Sequence, residues 1–432
     1  MGVPAAAARG PGRGVSGDRV FRAVTCLGCG CGCDDLEVRV RGDRIAAVSP
    51  PCPVATRWFG DGALPAEISV DGGPASLEQA IGAAAALLGG ASRPMVLLAP
   101  DLTTQALRTA VALADALRAD VDGATSEAAA AGILAGQRRG RAAATLGEIR
   151  NRADVVLFWA VDPRERYPRY LERYATAASA THAGRRTLLS VSIGPDRGPP
   201  KADLAAEFTP EQELEALGVM RAVVRGRQLT DLPKGLRPAV ALAERLLGGR
   251  YVAIVHDAEP GANPRDDHRA ESLIALAQEL NGPTRAALSS LRAGGNRSGA
   301  EAALTWQTGF PMRVSFGPGH PRYRPGRSGL ERLRDGGADV VLVAGAAGTL
   351  GAGAPAPDGV ATVVVGPAAS VVAGARVAID TGVGGIHEPG TGYRMDDVPL
   401  PLTAVLEHPR GAAETLGLLL RAVRTRASGR LR

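Results

Sequence analysis

The sequence predicts an α/β protein: a small N-terminal cysteine-loop β lobe followed by two packed α/β lobes with mostly parallel sheets. Three observations predict it. All five cysteines fall between positions 26 and 52, as Cys26, Cys29, Cys31, Cys33 and Cys52. Beyond them, short apolar runs suited to buried strands alternate with stretches of helical period, and this pattern occurs twice along the chain. Alanine, glycine and valine dominate while aromatics make up only 3% of 432 residues, a composition that fits close-packed layers of helix and sheet. The length exceeds what one core usually serves, which implies two or three lobes.

The elements follow in order. Residues 1–18 are rich in Ala, Gly, Pro and Arg, lack the apolar segment of a signal peptide and read as a disordered extension. Residues 19–60 form the cysteine-rich β lobe. Within it Asp35-Leu-Glu-Val-Arg-Val-Arg41 alternates apolar and charged side chains, Gly42-Asp43 turns the chain, and Arg44–Ser49 returns as a second strand that carries Cys52 back to the first three cysteines. A first α/β lobe is expected over 61–240, to which part of the C-terminal region can belong, and a second over 241–432, the two meeting near 235–250. The runs at 94–100, 154–160, 187–192, 251–256, 339–345 and 360–365 read as buried strands. Residues 103–118, 209–226 and 266–280 read as helices, the second with Pro210 in its first turn. Strand, crossover helix and strand in succession imply a parallel sheet.

Charge gives little direction. Fifty Lys and Arg against 44 Asp and Glu leave +6, with the arginines spread along the chain among the acids. A basic face suits an acidic partner subunit or an anionic ligand tail such as a polyglutamate as well as it suits nucleic acid. Segments interleaving aromatic and basic residues are lacking, so a zinc-loop nucleic-acid-binding protein is the weakest reading. The longest uncharged stretches, 340–357 and 359–375, are Gly-rich and broken by Pro, which favours strands and turns over a membrane span. The cytoplasm is the expected compartment, where clustered cysteines act as ligands more often than as bridges.

The spacing Cys26-x2-Cys29-x3-Cys33-x18-Cys52 allows four thiolates to converge on one centre. Three readings stay open: a [4Fe–4S] cluster with Cys31 as a spare, reduced thiols, and zinc. Asp34 and Asp35 follow the loop; adjacent residues on a strand point to opposite faces, so a hydrogen bond from one of them to the cysteine loop is expected rather than an acid/base pair. Gly345-Ala-Ala-Gly-Thr-Leu-Gly-Ala-Gly353 follows a strand without the spacing of a dinucleotide fingerprint, and reads as a turn before it reads as a phosphate cradle. Six histidines are scattered through the chain without a clustered metal triad. His320 and His387 are loop residues rather than catalysts.

Further segments carry a resemblance. Cys26-x2-Cys29-x3-Cys33-Asp34-Asp35, Thr145-Leu-Gly-Glu-Ile-Arg-Asn-Arg-Ala-Asp154, Thr305-Trp-Gln-Thr-Gly309, Pro321-Arg-Tyr323 and Gly390-Thr-Gly-Tyr-Arg-Met-Asp-Asp-Val-Pro399 occur in this order. In them the chain resembles the B subunit of formylmethanofuran dehydrogenase, a molybdopterin-oxidoreductase relative. The resemblance implies a molybdopterin-oxidoreductase-like fold, lacking the C-terminal pterin-binding barrel domain. It also implies a tungsten- or molybdenum-bispterin centre held by a cysteine or selenocysteine nearly twenty positions before the Thr-Leu-Gly-Glu segment. Here that stretch is Thr125-Ser126-Glu127-Ala, and no cysteine follows Cys52.

Oxygen donors at Ser126 or Glu127 would be hard ligands of different potential and geometry. The family's Asn-Pro pair is Asp162-Pro163, its His-Pro-Arg-His stretch is Tyr167-Pro-Arg-Tyr170, and one catalytic arginine survives as Arg292. Such a chain is similar to the degenerate B subunit of the bacterial formyltransferase/hydrolase complex. That resemblance implies a scaffold in tetrahydromethanopterin-linked one-carbon metabolism, assembled with amidohydrolase-like, formyltransferase and glutamate-synthase-like subunits around a methanofuran-like carrier. The alternative is a redox-active subunit with a pterin-bound metal and a [4Fe–4S] relay. Trp306 and Gln307 are expected to shape a pocket or to fill the core between lobes. Arg394 with Asp396 and Asp397 is expected to form an ion-paired turn.

Overall fold

The computed structural model describes residues 12–13, 18–178, 184–258, 266–345 and 359–430. The chain divides into two compact units, one made of Met1–Glu127 with Gly294–Arg432, the other of Ala128–Ala293. The cysteine lobe belongs to the first. Its four-stranded antiparallel sheet runs Gly12–Arg13, Arg19–Val24, Leu36–Arg41, Arg44–Ser49. Leu36, Val38 and Val40 turn inward while Arg39 and Arg41 face solvent, the alternation that the period of two requires. Cys52 then caps the helix Pro53–Phe59, whose first residue is proline and whose end is turned by Gly60 at φ 52°.

The main body of the first unit is a nine-stranded sheet ordered Arg322–Tyr323, Val314–Ser315, Asp120–Gly123, Pro94–Leu98, Val340–Ala344, Ala361–Gly366, Val377–Asp380, Ile68–Val70, Gly73–Pro74. The five strands from Asp120–Gly123 to Val377–Asp380 are parallel and the edges antiparallel. Both faces are covered, which is why the central strands are apolar at nearly every position rather than alternate. Val96, Leu98, Leu342 and Val363 pack with the helices Leu77–Gly90, Thr104–Leu117 and Ala412–Arg430. Met95, Leu97, Val341 and Val364 pack with Leu333 on the other side.

The second unit is a five-stranded parallel sheet ordered Leu204–Phe208, Thr187–Ile193, Val155–Trp159, Val252–Asp257, Ala286–Leu291. Its helices include Glu213–Val224, Arg237–Leu247 and Asp266–Leu280.

The expected lobes at 61–240 and 241–432 are therefore corrected. The run near 235–250 is not a junction: Arg237–Leu247 is a helix of the second unit, and Val252–Asp257 beyond it pairs with Val155–Trp159. The second unit is inserted into the first, because Pro94–Leu98 finds its partner in Val340–Ala344 rather than in the neighbouring repeat. The extension 1–18 is corrected in part, since Gly12–Arg13 pair with Arg19 and Val20 and Asp18 takes Arg41; its other residues lie outside the described ones. No helix among the described residues is long and apolar enough to cross a membrane.

Candidate functional site

The cysteine loop is the meeting point of segments that carry the resemblance. The loop closes on itself through the Cys26 N–H donating to Cys33 O at 2.8 Å. It is gripped from two sides: the Gly295 N–H donates to Leu27 O at 2.7 Å and the Met395 N–H to Gly30 O at 3.0 Å. The fully buried Asn296 ties the two gripping segments together. Its carboxamide donates to Leu102 O at 2.9 Å and to Thr104 Oγ1 at 3.1 Å, and accepts the Tyr393 N–H at 2.8 Å. Glycine is required at the tightest point, because a Cβ on Gly294 would lie 2.1 Å from Gly28 O. Arg394 and Asp396 form the expected ion pair, a two-pronged contact at 2.6 and 2.8 Å, and Asp397 turns the chain at φ 62°.

Cys26, Cys31, Cys33 and Cys52 are buried and Cys29 is half-buried; none is in a disulfide. Burial pushes the Cys26 thiol far up; the Gly28 N–H on its sulfur opposes this, and Cys29, Cys33 and Cys52 add to it. Among the described residues no three His, Cys, Asp or Glu side chains are set to hold a metal ion. Asp34 and Asp35 are exposed.

The stretch Thr125–Glu127, where the resemblance implies a soft ligand, is built around a carboxylate. Ser126 opens a helix and its buried hydroxyl donates to Asp122 Oδ2 at 2.5 Å. Asp122 also accepts the N–H groups of Gly329 at 2.7 Å, Arg313 at 2.9 Å and Gly123 at 2.9 Å. Burial raises its pKa, and the Ser126 hydroxyl and the two distant amides oppose that shift. Glu127 is exposed and 3.7 Å from Arg334. Neither oxygen donor is presented as a ligand: one is committed to a buried hydrogen bond and the other lies at the surface. Asp122 escapes a reading of the sequence because its partners lie about two hundred positions away.

Arg292 belongs to the second unit, buried just past the strand Ala286–Leu291. In the same unit Tyr167 and Tyr170 are wholly buried. Tyr170 meets Phe158 edge to face with centroids 6.3 Å apart, so these two residues are packed as core aromatics. At the sheet's C-terminal edge His256 Nε2 is 3.0 Å from Ser290 Oγ, to which Arg141 donates at 3.2 Å. Burial and the Arg141 charge lower the His256 pKa to about 4. Glu213, fully buried, takes Arg269 at 2.5 and 3.0 Å and the Trp159 indole N–H at 2.8 Å.

One expectation ends elsewhere. Trp306 does not fill a core: it is 58% exposed on the helix Arg297–Thr308, with Tyr393 at its edge. Its helix buries Ala300, Ala303 and Leu304, and position 306 falls off that face. The two histidines are loop residues, as expected. His387 donates to Gly62 O at 2.8 Å and fastens a loop, while His320 is exposed. Of the glycine run 345–353 only Gly345 is described, at φ 121°; the cradle reading lies outside the described residues, as does His182.

This is an α/β protein with a five-thiol β lobe held on its larger unit. No family model matches the chain. It is 30% identical over 439 residues to the B subunit of the tungsten-containing formylmethanofuran dehydrogenase 2 of Methanocaldococcus jannaschii, covering 94% of this chain and 99% of that one. It is 27% identical over 433 residues to the protein of the same name from Methanococcus maripaludis, at the same coverage. It is 31% identical over 277 residues to the B subunit of the formyltransferase/hydrolase complex of Methylorubrum extorquens, covering 63% of this chain and 73% of that one. The crystal structure of that organism's formyltransferase/hydrolase complex with methylofuran contains a chain that superposes with a TM-score of 0.70 at 27% identity, covering 84% of this chain and 99% of that one. The chain belongs to the family of formylmethanofuran dehydrogenase B subunits.

Proposed function

We propose that the chain is the B subunit of a formyl-transferring, formate-releasing complex, in which it is a scaffold without a tungsten or molybdenum centre of its own. One relationship carries this reading. At the stretch where the resemblance implies a sulfur or selenium ligand, the buried hydroxyl of Ser126 is given to Asp122. The donor set also disagrees with a tungsten- or molybdenum-bispterin, since no thiol follows Cys52 and the adjacent carboxylate, Glu127, faces solvent. Formyl transfer and hydrolysis then fall to amidohydrolase-like and formyltransferase partners, with a glutamate-synthase-like subunit and a methanofuran-like carrier, in the cytoplasm.

Cys26, Cys29, Cys33 and Cys52 are the residues that would hold a [4Fe–4S] cluster, with Cys31 outside the set. Their burial and mutual influence support it. A single zinc needs four sulfurs about 2.3 Å from one point, a tighter gathering than a cluster of four irons demands. With no soft ligand for an acceptor metal in the chain, the cluster's contribution is to fasten the lobe. The test is the native complex purified with formyl-transfer activity: its iron, tungsten and molybdenum contents, together with dye reduction linked to formate. Iron in the lobe without tungsten, molybdenum or dye reduction supports the scaffold; a stoichiometric heavy metal in this polypeptide refutes it.

A further inference from the structure

One motif that carries the resemblance, Pro321-Arg-Tyr323, has no part in the cysteine junction. It borders an open groove of about 690 Å³ on the first unit, with Ser315, Arg322, Tyr323, Arg324, Arg327 and Arg332 in its wall. That volume lies within the range of small-molecule sites, roughly 300–1,000 Å³. Every charged side chain in the described wall is an arginine.

The charges do not cancel. Asp120 takes Arg332 and stands 3.6 Å from Arg324, and Asp335 takes Arg327; neither carboxylate lines the groove. Four guanidiniums against two carboxylates leave two positive charges. Arg322 is exposed and makes no ion pair among the described residues. A guanidinium stays charged across the whole working pH range and offers a fork of N–H donors that matches carboxylate or phosphate oxygens.

The wall is also built before any ligand arrives. Asp120, Ser315 and Arg322 stand in register across three neighbouring strands, so the sheet fixes the spacing of hydroxyl and guanidinium. Tyr323 is stacked on Phe310 with centroids 4.9 Å apart and planes 7° from parallel. Arg332 rides a short helix closed by a capping box between Ser328 and Glu331. Holding donors in place lowers the ordering cost of binding.

We infer that this groove binds a small oligoanion carrying at least two carboxylate or phosphate groups, at a site whose wall includes neither the cysteines nor Ser126. Such a site is independent of whether the chain is a scaffold. The test is calorimetric titration of the full chain with two probes, triglutamate and pyrophosphate, at about 0.05 and 0.5 M salt. The expected result is one saturable site for at least one probe, weaker at high salt and weakened about tenfold or more by Arg322→Glu.

Preference for triglutamate assigns the groove to a carboxylate chain, and preference for pyrophosphate assigns it to a phosphate ester. Because Arg322 is exposed and outside any described ion pair, an unchanged melting temperature in the variant separates loss of binding from loss of fold. The double variant Arg322→Ala/Arg327→Ala provides a second reading. No saturable binding of either probe, or equal binding by folded Arg322→Glu, overturns the inference.

Discussion

Ser126 donates its hydroxyl to Asp122 across 2.5 Å, and the carboxylate that receives it also collects backbone N–H groups from Arg313 and Gly329. The pair locks the first turn of the helix that begins at Ser126 to the strand Asp120–Gly123 and to the distant segment 313–329. The stretch where the resemblance implies a metal ligand is thereby part of the hydrogen-bonded core.

Removing either partner should be unequal in cost. Asp122→Ala leaves three donors unmet in a buried place, and is expected to destabilise by roughly 3–5 kcal/mol. Ser126→Ala removes one donor from a carboxylate that keeps its amides, and should cost about 1–2 kcal/mol. Denaturant unfolding of both variants checks the order.

The buried charge in the second unit predicts a similar asymmetry. Glu213→Ala removes the buried carboxylate beside Arg269 and takes the acceptor from the Trp159 indole, and is expected to cost roughly 3–5 kcal/mol. Replacement by Gln keeps a partner for the indole and should cost less. Unfolding curves followed by tryptophan fluorescence read both.

His256 gives the fold a pH dependence of definite sign. Its folded pKa, lowered to about 4 by burial and Arg141, lies below the roughly 6.5 of an unfolded histidine. The unfolded chain takes the proton first, so stability falls as pH drops from about 6.5 to about 4, by up to about 3 kcal/mol. His256→Gln should flatten that slope. Urea midpoints across this pH range provide the comparison.

Glycine at position 294 is expected to be irreplaceable. Any Cβ there meets Gly28 O, so Gly294→Ala must push the cysteine loop away, at roughly 3 kcal/mol. The variant should also lose iron from the lobe, as Cys26→Ala should, while Cys31→Ala retains it. Iron and sulfide analysis of the three proteins decides this.

Much of the fold was legible. The apolar runs at 94–100, 154–160, 187–192, 251–256, 339–345 and 360–365 are strands within a residue or two, because a parallel strand buried on both faces must be apolar throughout. The order of assembly was hidden. Periodicity tells which residues are buried but not which strand they pair with, so nothing local announced that Val340–Ala344 joins Pro94–Leu98. The same blindness to distance concealed Asp122, whose partners come from 313 and 329, and Asn296, which binds both 102–104 and 393. Trp306 misled for a different reason: aromatic residues are often core, but the helix around it buries its small residues. The Arg394–Asp396 turn was legible because its parts are near neighbours in sequence.

The most direct measurement is elemental analysis of this polypeptide within its native, active complex. A scaffold whose Ser126 is committed to Asp122 should contain tungsten and molybdenum at well below one atom per chain while formyl transfer proceeds. One tungsten or molybdenum per chain, lost together with the complex's activity when Ser126 or Glu127 is replaced, would contradict it.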